Sequence, residues 1–228
     1  MVGIMLLGDL AHAADLPDWG GIWEVTMGRP RAAGPMEQPS LTPEYAAKLA
    51  DYKAAQAKGD DQETPQANCV PPGMPGIMNQ PYPMEFLFTP GKVTVAIEAY
   101  SQMRRIFTDG RKHPADPDLT YNGHSIGHWE GDTLIVDSVG FTPDTALGPG
   151  WGVRHSDQMH IVERIHLTAP DTLEIATTID DPKALTKPFT TTKILKRHRD
   201  WDIAEYVCEQ NNRNLATDKG KAGIILSH

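Results

Sequence analysis

The stretch MEFLFTPGKVTVAIEA, residues 84–99, decides the fold class. Large apolar residues recur at every second position in two runs, first at Met84, Phe86 and Phe88 and then at Val93, Val95, Ile97 and Ala99. Pro90 and Gly91 separate the two runs. A period of two places apolar side chains on one face of an extended chain, and a Pro-Gly pair is typical of a turn. The stretch therefore predicts two neighbouring strands with one buried face.

The same alternation continues on both sides of this stretch. Further strands are predicted at 18–25, 102–108, 121–129, 133–139, 159–167, 173–179, 189–196 and 203–208, several of them joined by short turns such as EGD at 130–132. Strands of this number in sequence order predict an all-β fold, an antiparallel up-and-down β-barrel, because closure removes exposed strand edges. A β-sandwich is the alternative. Barrels of this size commonly hold one small ligand.

The amino-terminal part follows a different pattern. Residues 1–14 contain a short apolar stretch and then Ala11-His12-Ala13, a small-x-small site, so they are expected to be a signal-peptide remnant. A disordered or docked tail is the alternative. One helix is predicted from Pro43 to Gly59, followed by a long loop rich in Pro and Gly that runs to residue 83. Residues 15–228 are then one barrel domain.

Charge and cysteine content limit the partners and the location. The net charge is −9 and no long basic run occurs, so nucleic acid is not an expected partner. Beyond the amino terminus no apolar run is long enough for a membrane span. Cys69 and Cys208 are the two cysteines, and in an exported chain they are expected to form one disulfide, with two buried thiols as the alternative. A periplasmic or secreted protein is expected, and its oligomeric state is left open.

Two resemblances agree with this fold. Gly21-Ile22-Trp23 resembles the GxW signature of lipocalins and their calycin relatives, which implies a barrel that binds a small molecule. The segments PYPMEFLFTPG, RRIFTDGRKHP, GHSIGHWEGDTLIVDSVGF and HSDQMHIVERI resemble a widespread group of exported bacterial proteins without an established activity. The second resemblance implies no catalytic residues.

The segment 154–167 carries the first candidate site. Met159, Ile161, Ile165 and Leu167 share one face of a strand, and the same parity places His155, Asp157 and Glu163 on that inward side. His160 has the opposite parity and is expected to point outward. A carboxylate in an apolar pocket is a good general acid or base. Arg105 shares a face with Met103 and Phe107 and is expected inside, as the counterion of Glu163 or as an anion-binding group. The alternative puts His155 and Asp157 in the loop before the strand and pairs Glu163 structurally with an arginine.

A second set of residues is expected to bind the substrate: His124, Ser125, His128, Trp129 and Asp137. His124 and His128 lie four residues apart on a predicted strand, about 13 Å, which is too far for one metal ion. A metal would instead take His155 and Asp157 with one of these histidines. No cofactor is expected, and nucleotide cofactors are disfavoured because no Gly-rich phosphate loop precedes a helix.

Three functional hypotheses follow, and the sequence leaves them open. The first is a cofactor-independent acid–base enzyme of the lyase, hydratase or isomerase type, acting on a small, partly apolar molecule in the barrel. Glu163 and His155 would transfer the proton, Asp157 would orient the histidine, and Arg105 would stabilise developing negative charge. The second is a periplasmic small-molecule binding protein, and the third is a metal-dependent hydrolase.

Overall fold

The structure, a computed structural model, describes residues 16–26, 38–58, 68–143, 145–147 and 153–211, so the expected signal segment lies outside it. Nine strands form one sheet in sequence order: β1 (Ile22–Val25), β2 (Met84–Thr89), β3 (Lys92–Ile97), β4 (Gln102–Phe107), β5 (His124–Glu130), β6 (Thr133–Val139), β7 (His160–Ala169), β8 (Thr172–Asp180) and β9 (Phe189–His198). The sheet closes because β1 also pairs with β9. The predicted barrel is confirmed, and the sandwich alternative is wrong.

One strand pair departs from the predicted antiparallel order. β4 and β5 run parallel, with Ile106 opposite Ser125 and Phe107 opposite Ile126. Parallel neighbours need a long connection rather than a tight turn, and residues 108–123 form it. The register places the start of β5 beside the end of β4, so this connection leaves and returns at the same end of β4. The barrel is therefore mixed rather than purely up-and-down.

The alternating sequences of β7 and β8 explain the interior. Buried isoleucines precede and follow one polar residue on each inward face: Ile161, Glu163 and Ile165 on β7, and Ile175, Thr177 and Ile179 on β8. The inward position of Glu163 is thus as predicted. A layer of polar side chains lies between apolar layers on these strands. Apolar burial drives closure, while this polar layer must find its hydrogen bonds inside the wall.

The GxW segment lies against the last strand. Trp23 is fully buried, its indole Nε1 donates to the Trp19 carbonyl at 2.9 Å, and the Arg197 guanidinium lies 4.6 Å from its ring centroid. Arg197 also donates to the Gly20 carbonyl at 3.0 Å and to the Asp18 carbonyl at 2.8 Å. This single cation therefore ties the segment before β1 to β9.

Outside the barrel, helix α1 spans Pro43–Ala57 and helix α2 spans Cys208–Asn211. The helix predicted from Pro43 is confirmed. Short 3₁₀ helices occupy Gly76–Asn79 and Ala99–Ser101. The predicted disulfide joins Cys69 to Cys208, with their Cα atoms 5.6 Å apart, and so fastens the carboxyl-terminal segment to the loop before β2. Within the described ranges no helix is both long and apolar enough to span a membrane.

Candidate functional site

Strands β4 to β7 carry polar side chains on both faces of the barrel wall. The interior cluster consists of Arg104, Ser125, Ser138, Glu163, Thr177 and Lys193, whose side chains point inward and are buried. The outer-wall cluster consists of His113, His124, Asp137 and His160, whose side chains are partly exposed. The two clusters share strands because successive residues of a strand point to opposite faces.

An ion pair forms the centre of the interior cluster. Nη2 of Arg104 donates to Oε2 of Glu163, and both side chains are at most 1% exposed. The same guanidinium contacts the hydroxyl oxygens of Ser138 at 3.1 Å and Ser125 at 3.4 Å. Those hydroxyls also share a hydrogen bond of 2.7 Å. Solvent does not reach this ion pair, so in this conformation a substrate from solution cannot either.

Lys193 adds a second cation to the interior. Its ammonium nitrogen is buried and has no hydrogen-bond partner among the described residues. Burial lowers the pKa of Lys193 to about 8, an effect that Glu163 opposes and Arg104 reinforces. A buried amine loses its water shell, which penalises the charged form.

The prediction that Arg105 points inward is wrong. Arg104 points inward and Arg105 is exposed, because Met103, Arg105 and Phe107 form the outer face of β4. Either face of this strand carries apolar residues, so alternation alone could not orient it. Arg104, on the inward face, pairs with the Glu163 carboxylate inside the barrel, and this ion pair favours the observed orientation.

His155 and Asp157 do not join Glu163, because β7 begins only at His160. His155 is buried in the preceding loop, where Nε2 lies 2.7 Å from the Thr145 hydroxyl and Nδ1 lies 2.7 Å from the Ser156 carbonyl. Asp157 is exposed and pairs with Lys183 at 2.6 Å. The expected His155–Asp157–Glu163 constellation is therefore wrong, and the loop alternative is the one observed.

Of the expected substrate-binding residues, His124 and Asp137 meet at the outer wall. Nδ1 of His113 lies 2.8 Å from Nδ1 of His124, and Nε2 of His113 lies 3.2 Å from Oδ1 of Asp137. Nε2 of His160 lies 2.7 Å from the same Asp137 oxygen. The strand register brings these side chains together. Asp137 on β6 lies opposite Ile126 on β5 and Val162 on β7. These two partners follow His124 and His160 by two residues each, so all three side chains lie on the same outer face.

The hydrogen-bond pattern determines which ring nitrogens carry protons when the histidines are neutral. An ionised Asp137 only accepts, so His113 and His160 both donate through Nε2. Neutral His113 then has a bare Nδ1, which accepts a hydrogen bond from Nδ1 of His124. His124 is left with a bare Nε2 and His160 with a bare Nδ1. The cluster thus presents a basic nitrogen at each of its two ends.

Electrostatics favours the neutral form of His124. Burial lowers the pKa of His124, and the nearby charges of His113 and Arg111 lower it further. Arg111 is held close to this part of the wall because its guanidinium stacks over Phe107, 3.8 Å from the ring centroid. A neutral histidine at pH 7 can accept a proton from a substrate.

A surface pocket adjoins each end of the cluster. One pocket of about 380 Å³ lies on the β4–β5 side and includes Arg105, Phe107 and His124 in its lining. Another of about 500 Å³ lies on the β6–β7 side and includes Asp157 and His160. Two residues that were expected inside the barrel, Arg105 and Asp157, therefore line pockets on its outside.

The remaining candidates lie elsewhere. Ser125 points into the interior and contacts Arg104. Trp129 is partly buried and packs against the core residue Trp19, with ring centroids 5.4 Å apart. His128 is exposed on the outer face, 3.5 Å from a Glu130 oxygen. These three residues do not contribute to the outer-wall cluster.

Sequence reasoning missed His113, Arg104 and Lys193 as site residues. Lys193 shares parity with the buried Phe189 and Leu195, so the strand pattern contained the signal for its inward position. Arg104 shares parity with Ile106 in the same way. His113 lies in an irregular connection without periodicity, so no local signal pointed to it. His160, predicted to point outward, does so and joins the outer-wall cluster.

In the part of the chain that the structure describes, no three His, Cys, Asp or Glu side chains are arranged to hold a metal ion. No protein-family model and no curated protein matches the chain. The fold and the site therefore define a disulfide-linked β-barrel with a buried ion-pair cluster and a partly exposed histidine–aspartate cluster.

Proposed function

We propose that the protein is a cofactor-independent acid–base enzyme of the lyase, hydratase or isomerase type, with its proton-transfer groups on the outer wall of the barrel. The observation that carries this proposal is the hydrogen-bonded chain His124–His113–Asp137–His160, which meets a pocket at each end. A histidine held by a carboxylate and next to a pocket is the usual arrangement of a general base.

His124 is the proposed base in the β4–β5 pocket. Its bare Nε2 removes a proton from the substrate, and the positive charge that forms on its ring is shared with His113 through the Nδ1–Nδ1 hydrogen bond. Asp137 stabilises that charge because its Oδ1 accepts from His113. His160, which shares this oxygen, keeps the carboxylate oriented and supplies a second proton-transfer group in the other pocket.

Arg105 indicates the class of substrate. It lines the pocket that contains His124, and it forms no ion pair among the described residues. An exposed guanidinium beside a base suits a small molecule with a carboxylate next to the carbon that loses its proton. Arg105 would bind that carboxylate and stabilise the negative charge that develops on deprotonation. Met103 and Phe107 supply apolar contacts in the same pocket.

The interior cluster is a poorer candidate for this chemistry. Glu163 is 0% exposed and its carboxylate already binds Arg104, so proton transfer to a substrate would require the wall to open. The outer-wall groups need no such opening. A small molecule is the proposed partner, and a periplasmic or secreted location is proposed because the disulfide suits an oxidising compartment.

Hydrogen exchange with solvent tests the proposal on a panel of compounds whose products need not be identified. Small hydroxy, keto and unsaturated carboxylic acids are incubated with the protein in D₂O, and loss of C–H signals is followed by proton NMR. Wild-type protein is expected to exchange the proton next to the carboxylate in at least one compound. His124→Gln should lower that rate by about 100-fold or more, as for loss of a general base.

His128→Gln is the matched control, since His128 lies on the same strand and outer face but outside the cluster. It should exchange at the wild-type rate. Equal rates for His124→Gln and wild type would refute the proposed base. Binding of a compound without any exchange or product would instead favour the binding-protein hypothesis.

A further inference from the structure

The interior cluster has more buried polar atoms than partners. Within the described residues, Nε and Nη1 of Arg104, Oε1 of Glu163, Oγ1 of Thr177 and Nζ of Lys193 are buried without a hydrogen bond. Such atoms are rare in folded proteins, because a buried donor without an acceptor forfeits the hydrogen bonds it made in water. Their concentration in one layer of the barrel points to a bound polar species.

These atoms belong to neighbouring strands. Glu163 lies opposite Thr177, and Thr177 lies opposite Thr191, two residues before Lys193 on the same inward face. Arg104 reaches the group from the other side through its ion pair with Glu163. Lys193 is close enough to feel the charges of both Glu163 and Arg104. The unpartnered atoms therefore surround a common region of the interior.

The charges of this layer do not cancel. Arg104 and Lys193 are cations and Glu163 is the one carboxylate of the cluster, so a neutral layer requires one more negative charge. Two buried cations in a low-dielectric environment repel each other strongly. Most of the unpartnered atoms are nitrogen donors, which suit an acceptor that carries charge.

We infer that the barrel interior binds a small monovalent anion, a halide or a short carboxylate, between Arg104 and Lys193. The anion accepts hydrogen bonds from the free guanidinium nitrogens and from the lysine ammonium. This site is distinct from the outer-wall cluster. Because the interior is closed to solvent, the anion enters during folding or through the β4–β5 junction, where only two residue pairs are in register.

Refolding in defined salts tests the inference. The disulfide-intact protein is unfolded in urea and refolded in sodium bromide, in sodium formate, or in sodium methanesulfonate as a bulkier monovalent anion at equal concentration. The thermal midpoint of wild type is expected to be about 4 °C higher in bromide or formate than in methanesulfonate, because an anion that binds only the folded state stabilises it. Bromide-grown crystals should show an anomalous peak within hydrogen-bonding distance of Arg104 and Lys193.

Lys193→Met separates the site from general salt effects. The difference in thermal midpoint between bromide or formate and methanesulfonate should nearly vanish in this variant. It should persist in Lys196→Met, in which the replaced lysine is exposed on the same strand. An equal difference in Lys193→Met and wild type would overturn the inference. So would a wild-type crystal whose bromide peaks all lie outside the barrel, a readout that does not depend on the folding of any variant.

Discussion

The interior cluster and the outer-wall cluster share strands β5, β6 and β7, yet burial gives them different properties. Glu163 and Arg104 are at most 1% exposed, whereas the side chains of Asp137 and His160 are 43% and 39% exposed. Inside, each charge needs a partner because water is absent. Outside, solvent screens the charges and the same residue types remain free to exchange protons with a ligand.

A buried carboxylate is therefore not by itself a sign of catalysis. Glu163 is a titratable group on an apolar face, which makes it an attractive candidate in the sequence, but its contacts are those of a structural ion pair. The partly exposed cluster has pockets beside it. Substitutions should therefore affect stability inside the barrel and proton transfer outside it.

The largest effect is expected from Glu163→Leu. Removal of the carboxylate leaves the two buried cations Arg104 and Lys193 without the carboxylate of their cluster and should lower the free energy of unfolding by about 3–5 kcal/mol. Urea denaturation of the disulfide-intact protein measures this change in the free energy of unfolding. The triple variant Arg104→Met/Glu163→Leu/Lys193→Met should recover most of this loss, because no buried charge remains. A Glu163→Leu protein as stable as wild type would contradict the structural role.

The next effect is a pH dependence that belongs to Lys193. The pKa of Lys193 is about 8 in the folded protein and 10.5 ordinarily. Between these two pH values Lys193 is protonated in the unfolded chain and neutral in the folded protein. As the pH rises from 8 to 10.5, the free energy of unfolding of wild type should therefore increase by about 3 kcal/mol relative to Lys193→Met. This gain is lost again as the pH falls back to 8. Lys196→Met should keep the wild-type profile. Parallel profiles for wild type and Lys193→Met would contradict the burial of this charge.

A smaller effect on stability is expected from Asp137→Asn and His160→Gln. Both side chains are partly solvated, so each change should alter the free energy of unfolding by less than about 1 kcal/mol. The rate of substrate proton exchange should nevertheless fall in both variants. Destabilisation as large as that of Glu163→Leu would remove the distinction between the two clusters.

The smallest effect is the pH dependence of stability due to His124. Its folded pKa lies below 6.5, because of burial and the charges of His113 and Arg111. The stabilising contribution of His124 is complete when the pH lies above its pKa in the unfolded chain. It is lost as the pH falls through its lower pKa in the folded protein. Wild type should therefore lose slightly more stability than His124→Gln when the pH is lowered from 7.5 to 5. The opposite sign would mean that His124 is a stabilised cation.

The fold was predictable because its signals are local. Alternation with period two identifies strands in the printed sequence, and the closed barrel follows from their number and order. The parallel β4–β5 pair was not predictable, since nothing in residues 108–123 indicates where a long connection returns. The predicted outward position of His160 and inward position of Glu163 are confirmed because clear apolar neighbours set their parity.

The sequence by itself determined a β-barrel with one amino-terminal helix, a Cys69–Cys208 disulfide and an inward Glu163. Only the tertiary structure decided that Arg104 rather than Arg105 faces that carboxylate, and that His113 joins His124 and Asp137. The physical reason is that alternation specifies two faces of a strand but not which one turns inward when both carry apolar residues. That choice, and the path of an aperiodic loop, depend on charges and surfaces supplied by distant parts of the chain.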